Sequence, residues 1–137
     1  MSDRTPQANW LAGSGLFVSI RRMKYLVLIF GDTDTTWTGS GEDVATIRAL
    51  TELKHELAAS GELVSSEGLD FPSAGKVVQI RDGVRVVTDG PFGEAKEQIA
   101  GFFMIDTSDE RAQEIAGQVS AVVGDRVELR ETLLSAP

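Results

Sequence analysis

The sequence predicts an α+β domain of the ferredoxin-like, split βαβ kind, with an antiparallel sheet and one extra hairpin. Three observations carry that expectation. A continuous apolar run, Tyr25-Leu26-Val27-Leu28-Ile29-Phe30, precedes a long helical stripe. An Asp82-Gly83 pair separates two β-rich segments. A second helical stripe ends at Gly124 and is followed by a short alternating segment. The resulting order is strand, helix, strand, hairpin, strand, helix, strand, which is a split βαβ unit with a hairpin added.

Residues 1–22 read as an N-terminal extension, expected to be flexible, and residues 23–137 as the domain proper. The first nine residues are polar and turn-rich, and Gly13-Ser14-Gly15 is a flexible break. Two readings follow. Either Met23 is the natural start, or the segment is a partly ordered arm whose Leu16-Phe17-Val18 packs on a partner subunit.

The run from Tyr25 to Phe30 lacks alternation and suits a central strand buried on both faces. Gly31-Asp32-Thr33-Asp34 ends it, and residues 31–41 read as a loop carrying Trp37. From Glu42 to Ser60, Ile47, Leu50, Leu53 and Leu57 recur at steps of three and four, which predicts an amphipathic helix. Glu42 and Asp43 occupy its first turn, where negative charge favours the helix dipole. Gly61 is placed as the left-handed residue after its end.

Leu63 to Leu69 reads as a strand. Lys76–Arg81 and Val84–Thr88 flank Asp82-Gly83, and a two-residue Asp-Gly loop predicts a type I′ hairpin because both positions need positive φ. Ile99 to Asp106 is another strand, with Gly101 as a bulge or a point of close approach. Thr107-Ser108-Asp109-Glu110 matches a capping box with Thr107 as the cap. Ile115, Val119, Val122 and Val123 form the next stripe, and Val127-Glu128-Leu129-Arg130 alternates as a final strand. The first strand is so apolar that one face of the sheet is expected to need cover from a partner.

The chain has 137 residues, a net charge of −8, no cysteine and one histidine. The length suffices for one domain with a core. The acidic balance disfavours a non-specific grip on nucleic acid, which needs clustered Lys and Arg against phosphate. The absence of cysteine excludes disulfides, thiolate metal sites and cysteine nucleophiles, and fits a cytoplasmic protein. A single histidine, His55, excludes any site needing two from one chain. No apolar run approaches the roughly 18 residues that span a bilayer, and no targeting segment is read. No Gly-rich phosphate loop and no Gly-x-Ser-x-Gly elbow occur. No metal and no cofactor is expected.

The segment from Thr88 to Asp106 is the most informative. Asp89-Gly90-Pro91-Phe92 joins a carboxylate, a tight turn and an aromatic, and Glu94, Lys96 and Glu97 follow directly. Asp89 is read as a general acid or base at a strand end, with Phe92 as an apolar wall that raises its pKa. The competing structural reading is that Asp89 caps the turn by bonding its own backbone. Glu94, Lys96 and Glu97 either position a polar ligand, with Lys96 as a point charge, or face water. Glu67 either lines the same cleft, where it could share a divalent ion with Asp89, or is an edge-strand charge. Tyr25 and Trp37 either border the cleft or pack in the interior.

The Thr88–Asp106 run resembles the signature of the DGPF group within the YCII-related family, small bacterial proteins similar to ferredoxin-like folds. The resemblance extends over roughly residues 23 to 131. It implies a dimeric α/β barrel, a homodimer packed through its sheet faces. In YCII-type relatives the aspartate before Gly-Pro-Phe is the proposed catalytic carboxylate, paired with a histidine near the start of the first helix. This chain keeps Asp89, Pro91 and Phe92 but has about Leu50 at the histidine's place. His55 does not replace it, because it falls on the solvent side with Arg48 and Glu52.

Two functions are therefore expected. One is a module that binds a small ligand or a protein partner in a cleft near the Asp-Gly-Pro-Phe loop, with a regulatory partner implied by transcription-linked relatives of the group. The other is a cofactor-free lyase, isomerase or hydrolase using Asp89.

Overall fold

The structure, a computed structural model, describes residues 7–9, 18–20, 22–32, 41–90 and 97–135. The element order is β1 (Gln7–Asn9), β2 (Val18–Ile20), β3 (Met23–Asp32), α1 (Gly41–Ala59), β4 (Leu63–Gly68), a 3₁₀ turn (Pro72–Ala74), β5 (Lys76–Arg81), β6 (Val84–Asp89), β7 (Glu97–Thr107), α2 (Asp109–Val123) and β8 (Val127–Glu131). The main sheet runs β4-β7-β3-β8, and every neighbouring pair is antiparallel. That topology, with two helices on one face, is compatible with a ferredoxin-like α+β fold. β1 and β2 pair antiparallel as a separate small sheet, and so do β5 and β6.

The apolar run becomes β3, the second of the two inner strands, bonded to β7 and β8. Its odd residues Tyr25 and Val27 face the helices and join a buried cluster with Phe103 and Ile105 of β7. Leu53 and Leu57 of α1 and Ala112, Ile115, Ala116 and Val119 of α2 close that cluster. Burying a side chain such as Phe103 stabilises the fold by about 1.5–3 kcal/mol. By alternation Leu26 and Leu28 of β3, and Phe102 and Met104 of β7, lie on the opposite face, which carries neither helix. Leu28 is buried there and the other three are half-buried.

Local chemistry sets the element ends. After α1, Gly61 N–H donates to the Ala58 carbonyl and Glu62 N–H to that of Leu57, with Gly61 at φ 79°. This paired motif satisfies the last helical carbonyls and needs a left-handed residue. Asp82 and Gly83 take φ 51° and 78°, the type I′ turn that the sequence predicts.

α2 corrects one expectation. Its N-cap is Ser108, whose Oγ accepts from Arg111 N–H, while Gly124 ends the helix at φ 75°. Thr107 does not cap, because it is the buried last residue of β7 and donates its hydroxyl to Glu62 Oε2 at 2.8 Å. With Ser108 at the cap, the third helical position is Arg111 and the expected capping box does not form.

Gly101 marks both alternatives read for it. A Cβ there would come within 2.8 Å of the Glu67 carbonyl oxygen, so β4 approaches β7 at glycine distance. The β3–β7 register also shifts beside it: Ile29 faces Gly101 and Phe30 faces Ile99, leaving Ala100 as the extra residue of a bulge.

Candidate functional site

α1 packs by only half its length. Leu53 and Leu57 are buried, and Leu50 is half-buried against the core. Ile47, on the same stripe, is 52% exposed. The first half of the helix therefore stands off the sheet, at the end where β3 finishes and β7 begins. A cavity of about 690 Å³ opens there.

Its helical wall is Asp43, Thr46, Ile47, Leu50, Thr51 and Lys54. Its sheet wall is Ile29–Gly31, Gln98–Phe103 and Ser66–Gly68. Leu69, Asp70, Phe71 and Pro72 border it, as do Val123 and Asp125. Ile47, Leu69, Phe71 and Ile99 leave an apolar surface open to solvent at this place. The bulge at Ala100 helps to shape the sheet wall, since an added residue bends the strand that carries it.

Lys54 brings the positive charge of the lining. Its Nζ stands 5.8 Å from the centroid of the Phe103 ring, within cation–π range. Asp43, Glu67, Asp70 and Asp125 bring four carboxylates. Asp70 Oδ1 accepts from Phe71 N–H at 2.7 Å, which fixes the start of the turn bearing Phe71 and Pro72. The cavity thus combines an apolar wall with charged groups at its border, the usual make-up of a small-molecule site.

The predicted site residues are distributed unevenly. Glu67 lines the cavity, and Leu50, at the place a family histidine would take, lines it too. Tyr25 does not. It is buried among the core residues, and its hydroxyl lies 3.4 Å from Asp109 Oδ1 on α2. Four residues of extended chain, about 13 Å, separate it from Ile29 at the cavity. His55 is exposed on the outer side of α1, as its helical angle predicts.

Asp89 is the last residue of β6 and does not line the cavity. Its Oδ1 accepts from Lys76 Nζ at 2.7 Å, across the open end of the β5–β6 ribbon, and its side chain is 78% exposed. Gly90 follows as a half-buried bend, its N–H donating to the Gly75 carbonyl at 3.0 Å. Among the described residues, then, Asp89 has a solvated, ion-paired setting rather than an apolar wall. Pro91, Phe92, Glu94, Lys96 and Trp37 lie outside the described residues; Glu97 opens β7.

The most buried ion pair among the described residues lies at the other end of the sheet. Arg111 Nε is 3.1 Å from Glu62 Oε2. Burial pushes the Glu62 carboxyl up, but hydrogen bonds from Arg111, Thr107 and Ser60 and the Arg111 charge outweigh it and hold the pKa below its ordinary value. The group joins α2 to the residue before β4 and does not line the cavity.

Sequence reasoning missed Ile47, Leu69, Phe71, Ile99 and Lys54 as site residues. Phe71 offered one signal, a large apolar residue beside Pro72 just past the expected strand end at Leu69. Among the described residues no group of three or more potential metal ligands occurs, and no helix is long and apolar enough to cross a membrane.

Comparison with known proteins gives two results. Residues 23–133 match the YCII-related domain. An uncharacterized protein of Rhizobium meliloti (strain 1021) is 34% identical over 85 residues, which cover 61% of this chain and 68% of that protein.

Proposed function

The chain belongs to the YCII-related domain family, and from that premise we propose that it binds a small, largely apolar ligand in the cavity between α1 and the end of the sheet. One observation carries this reading: α1 withholds Ile47 from the core and leaves it, with Leu69, Phe71 and Ile99, around a cavity of about 690 Å³. That volume is within the range of about 300–1,000 Å³ usual for ligand pockets.

The sheet wall at Gln98 and Ile99 comes shortly after the Asp-Gly-Pro-Phe segment in the chain. This proximity supports giving Gly90, Pro91, Phe92, Glu94, Lys96, Glu97 and Trp37 a part in the same site. The segment also supports placing the chain in the DGPF group of its family. Leu26, Phe102 and Met104, half-buried on the sheet face without helices, support a homodimer packed through that face as a dimeric α/β barrel.

The alternative is a cofactor-free enzyme with Asp89 as general acid or base. Its support is the motif. The exposed Lys76–Asp89 pair favours the binding reading.

A thermal-shift screen of apolar and amphipathic metabolites tests the proposal on wild type, Ile47→Asp and Asp89→Asn. A ligand at about 100 times its Kd adds roughly 2.7 kcal/mol. The expected result is a raised Tm that Ile47→Asp abolishes. A shift untouched by Ile47→Asp but lost in Asp89→Asn would move the site to the Asp-Gly-Pro-Phe loop. No shift with any compound would reject the small-ligand reading and turn the search to a protein partner.

A further inference from the structure

Among the described residues, β5 and β6 pair with each other and with no other strand. All twelve of their residues are exposed, so neither face of the ribbon is buried against the described residues. Its base is closed by the Gly90–Gly75 hydrogen bond and the Lys76–Asp89 ion pair. An isolated two-stranded ribbon is marginally stable in water, because it has no third layer against which to bury a face. This ribbon nevertheless carries six apolar β-formers. The register puts Val78, Val87 and Ile80 on one face, exposed by 59%, 50% and 66%.

Its charge is also unlike the rest of the chain. Lys76, Arg81 and Arg85 against Asp82 and Asp89 make the ribbon net positive, whereas the whole chain carries −8. Arg81 flanks the turn, and Arg85 stands one step further in, opposite Ile80 on the Val78 face. A surface complementary to both features is present on this same chain. The cavity mouth offers Ile47, Leu69, Phe71 and Ile99 as an apolar seat, with Asp43, Glu67 and Asp70 around it. None of the ribbon's residues lines its own cavity. It begins directly after Gly75, three residues past the cavity residue Pro72, and its six strand residues span about 20 Å.

We propose that the hairpin Lys76–Asp89 is an arm that docks on a second copy of this chain, its Val78, Ile80 and Val87 face over the Ile47 side of the cavity mouth and Arg85, which shares that face opposite Ile80, toward the acidic border. Under two-fold symmetry the contact is made twice, each copy giving an arm and receiving one. Each cavity is then covered by residues of the other copy. The docking does not depend on a ligand in the cavity.

The lack of cysteine makes a direct test available. Two single variants, Ile80→Cys and Ile47→Cys, are mixed and oxidised with oxidised glutathione. The expected result is a disulfide-linked pair that needs both variants, is reversed by reductant, and weakens with added salt or with Arg85→Glu. His55→Cys, on the outer side of α1, replaces Ile47→Cys as the control and should give no link. Sedimentation velocity on Val78→Glu with Val87→Glu reads the same contact without chemistry. The dimer Kd should rise at least about tenfold, a change of roughly 1.4 kcal/mol, with the far-ultraviolet dichroism of the body unchanged.

A dimer that gives no Ile80–Ile47 link above the control overturns the arm and leaves face-to-face sheet pairing as the mode of association. A chain that stays monomeric at every concentration overturns it outright.

Discussion

Arg111 grips Glu62 through two nitrogens, Nε at 3.1 Å from Oε2 and Nη2 at 3.2 Å from Oε1, and so ties the first turn of α2 to the chain entering β4. Thr107 donates to the same carboxylate at 2.8 Å and Ser60 at 2.8 Å. Three residues, from α2, β7 and the α1–β4 turn, thus converge on one group. Glu62→Gln should cost about 1–3 kcal/mol, because hydrogen bonds to a charged group are lost while the site stays partly buried. Urea unfolding at neutral pH measures it.

The same group predicts a pH dependence of definite sign. The folded pKa of Glu62 lies below its ordinary value of 4.5, so the unfolded chain takes up the proton first. The stabilisation is complete above that value and is lost as the pH falls through the lower folded pKa. The stability difference between wild type and Glu62→Gln should therefore be constant well above pH 4.5 and shrink below it. A difference that grows on acidification would contradict the network.

Ser108, rather than Thr107, is the helix cap of α2. Ser108→Ala should destabilise by about 0.5–2 kcal/mol. Glu110→Gln should cost less, about 0.3–1 kcal/mol of dipole interaction, since Glu110 takes no part in a capping box. A larger loss from Glu110→Gln than from Ser108→Ala in thermal unfolding would restore the box.

Gly101→Ala should be costly although the substitution is small. The new methyl meets the Glu67 carbonyl oxygen at 2.8 Å, a backbone atom that can move only with β4. Overpacking of this kind costs about 1–3 kcal/mol. Glu67 and Gly101 both line the cavity, so any ligand shift should weaken with it.

Asp89→Asn should change stability by less than about 1 kcal/mol, the ordinary worth of a surface ion pair. Its partner Lys76 is 62% exposed, so the pair is solvated on both sides. A much larger loss would show that Asp89 holds the Asp-Gly-Pro-Phe loop in a way its pairing with Lys76 does not reveal.

Most of the fold is legible in the chain because its signals are local. The Tyr25–Phe30 run, the Asp82-Gly83 turn and Gly61 each restrict φ, ψ or burial within a few residues, and the corresponding elements form where expected. The Thr107 reading failed for a tertiary reason: a hydroxyl with the right spacing for a cap is claimed by Glu62, which lies 45 residues away.

The candidate site is less legible. Ile47, Leu50, Leu53 and Leu57 share one stripe, and periodicity treats them alike. Only packing against a sheet of finite length buries Leu53 and Leu57 and leaves Ile47 outside. Tyr25 likewise opens the first strand in the sequence, yet the pleat turns it toward α2 and away from the cavity.

By itself the sequence determined the order of elements from β3 onward, the hairpin turn, the family and the solvent side of His55, because periodicity and turn chemistry act over a few residues; the β1–β2 pair lies in residues read as a flexible extension. The tertiary structure alone decided which half of α1 packs, which hydroxyl caps α2, where the cavity lies, and that the ribbon carrying Asp89 stands apart from it. Those outcomes depend on contacts between residues far apart in the chain, whose geometry exists only once the sheet has formed.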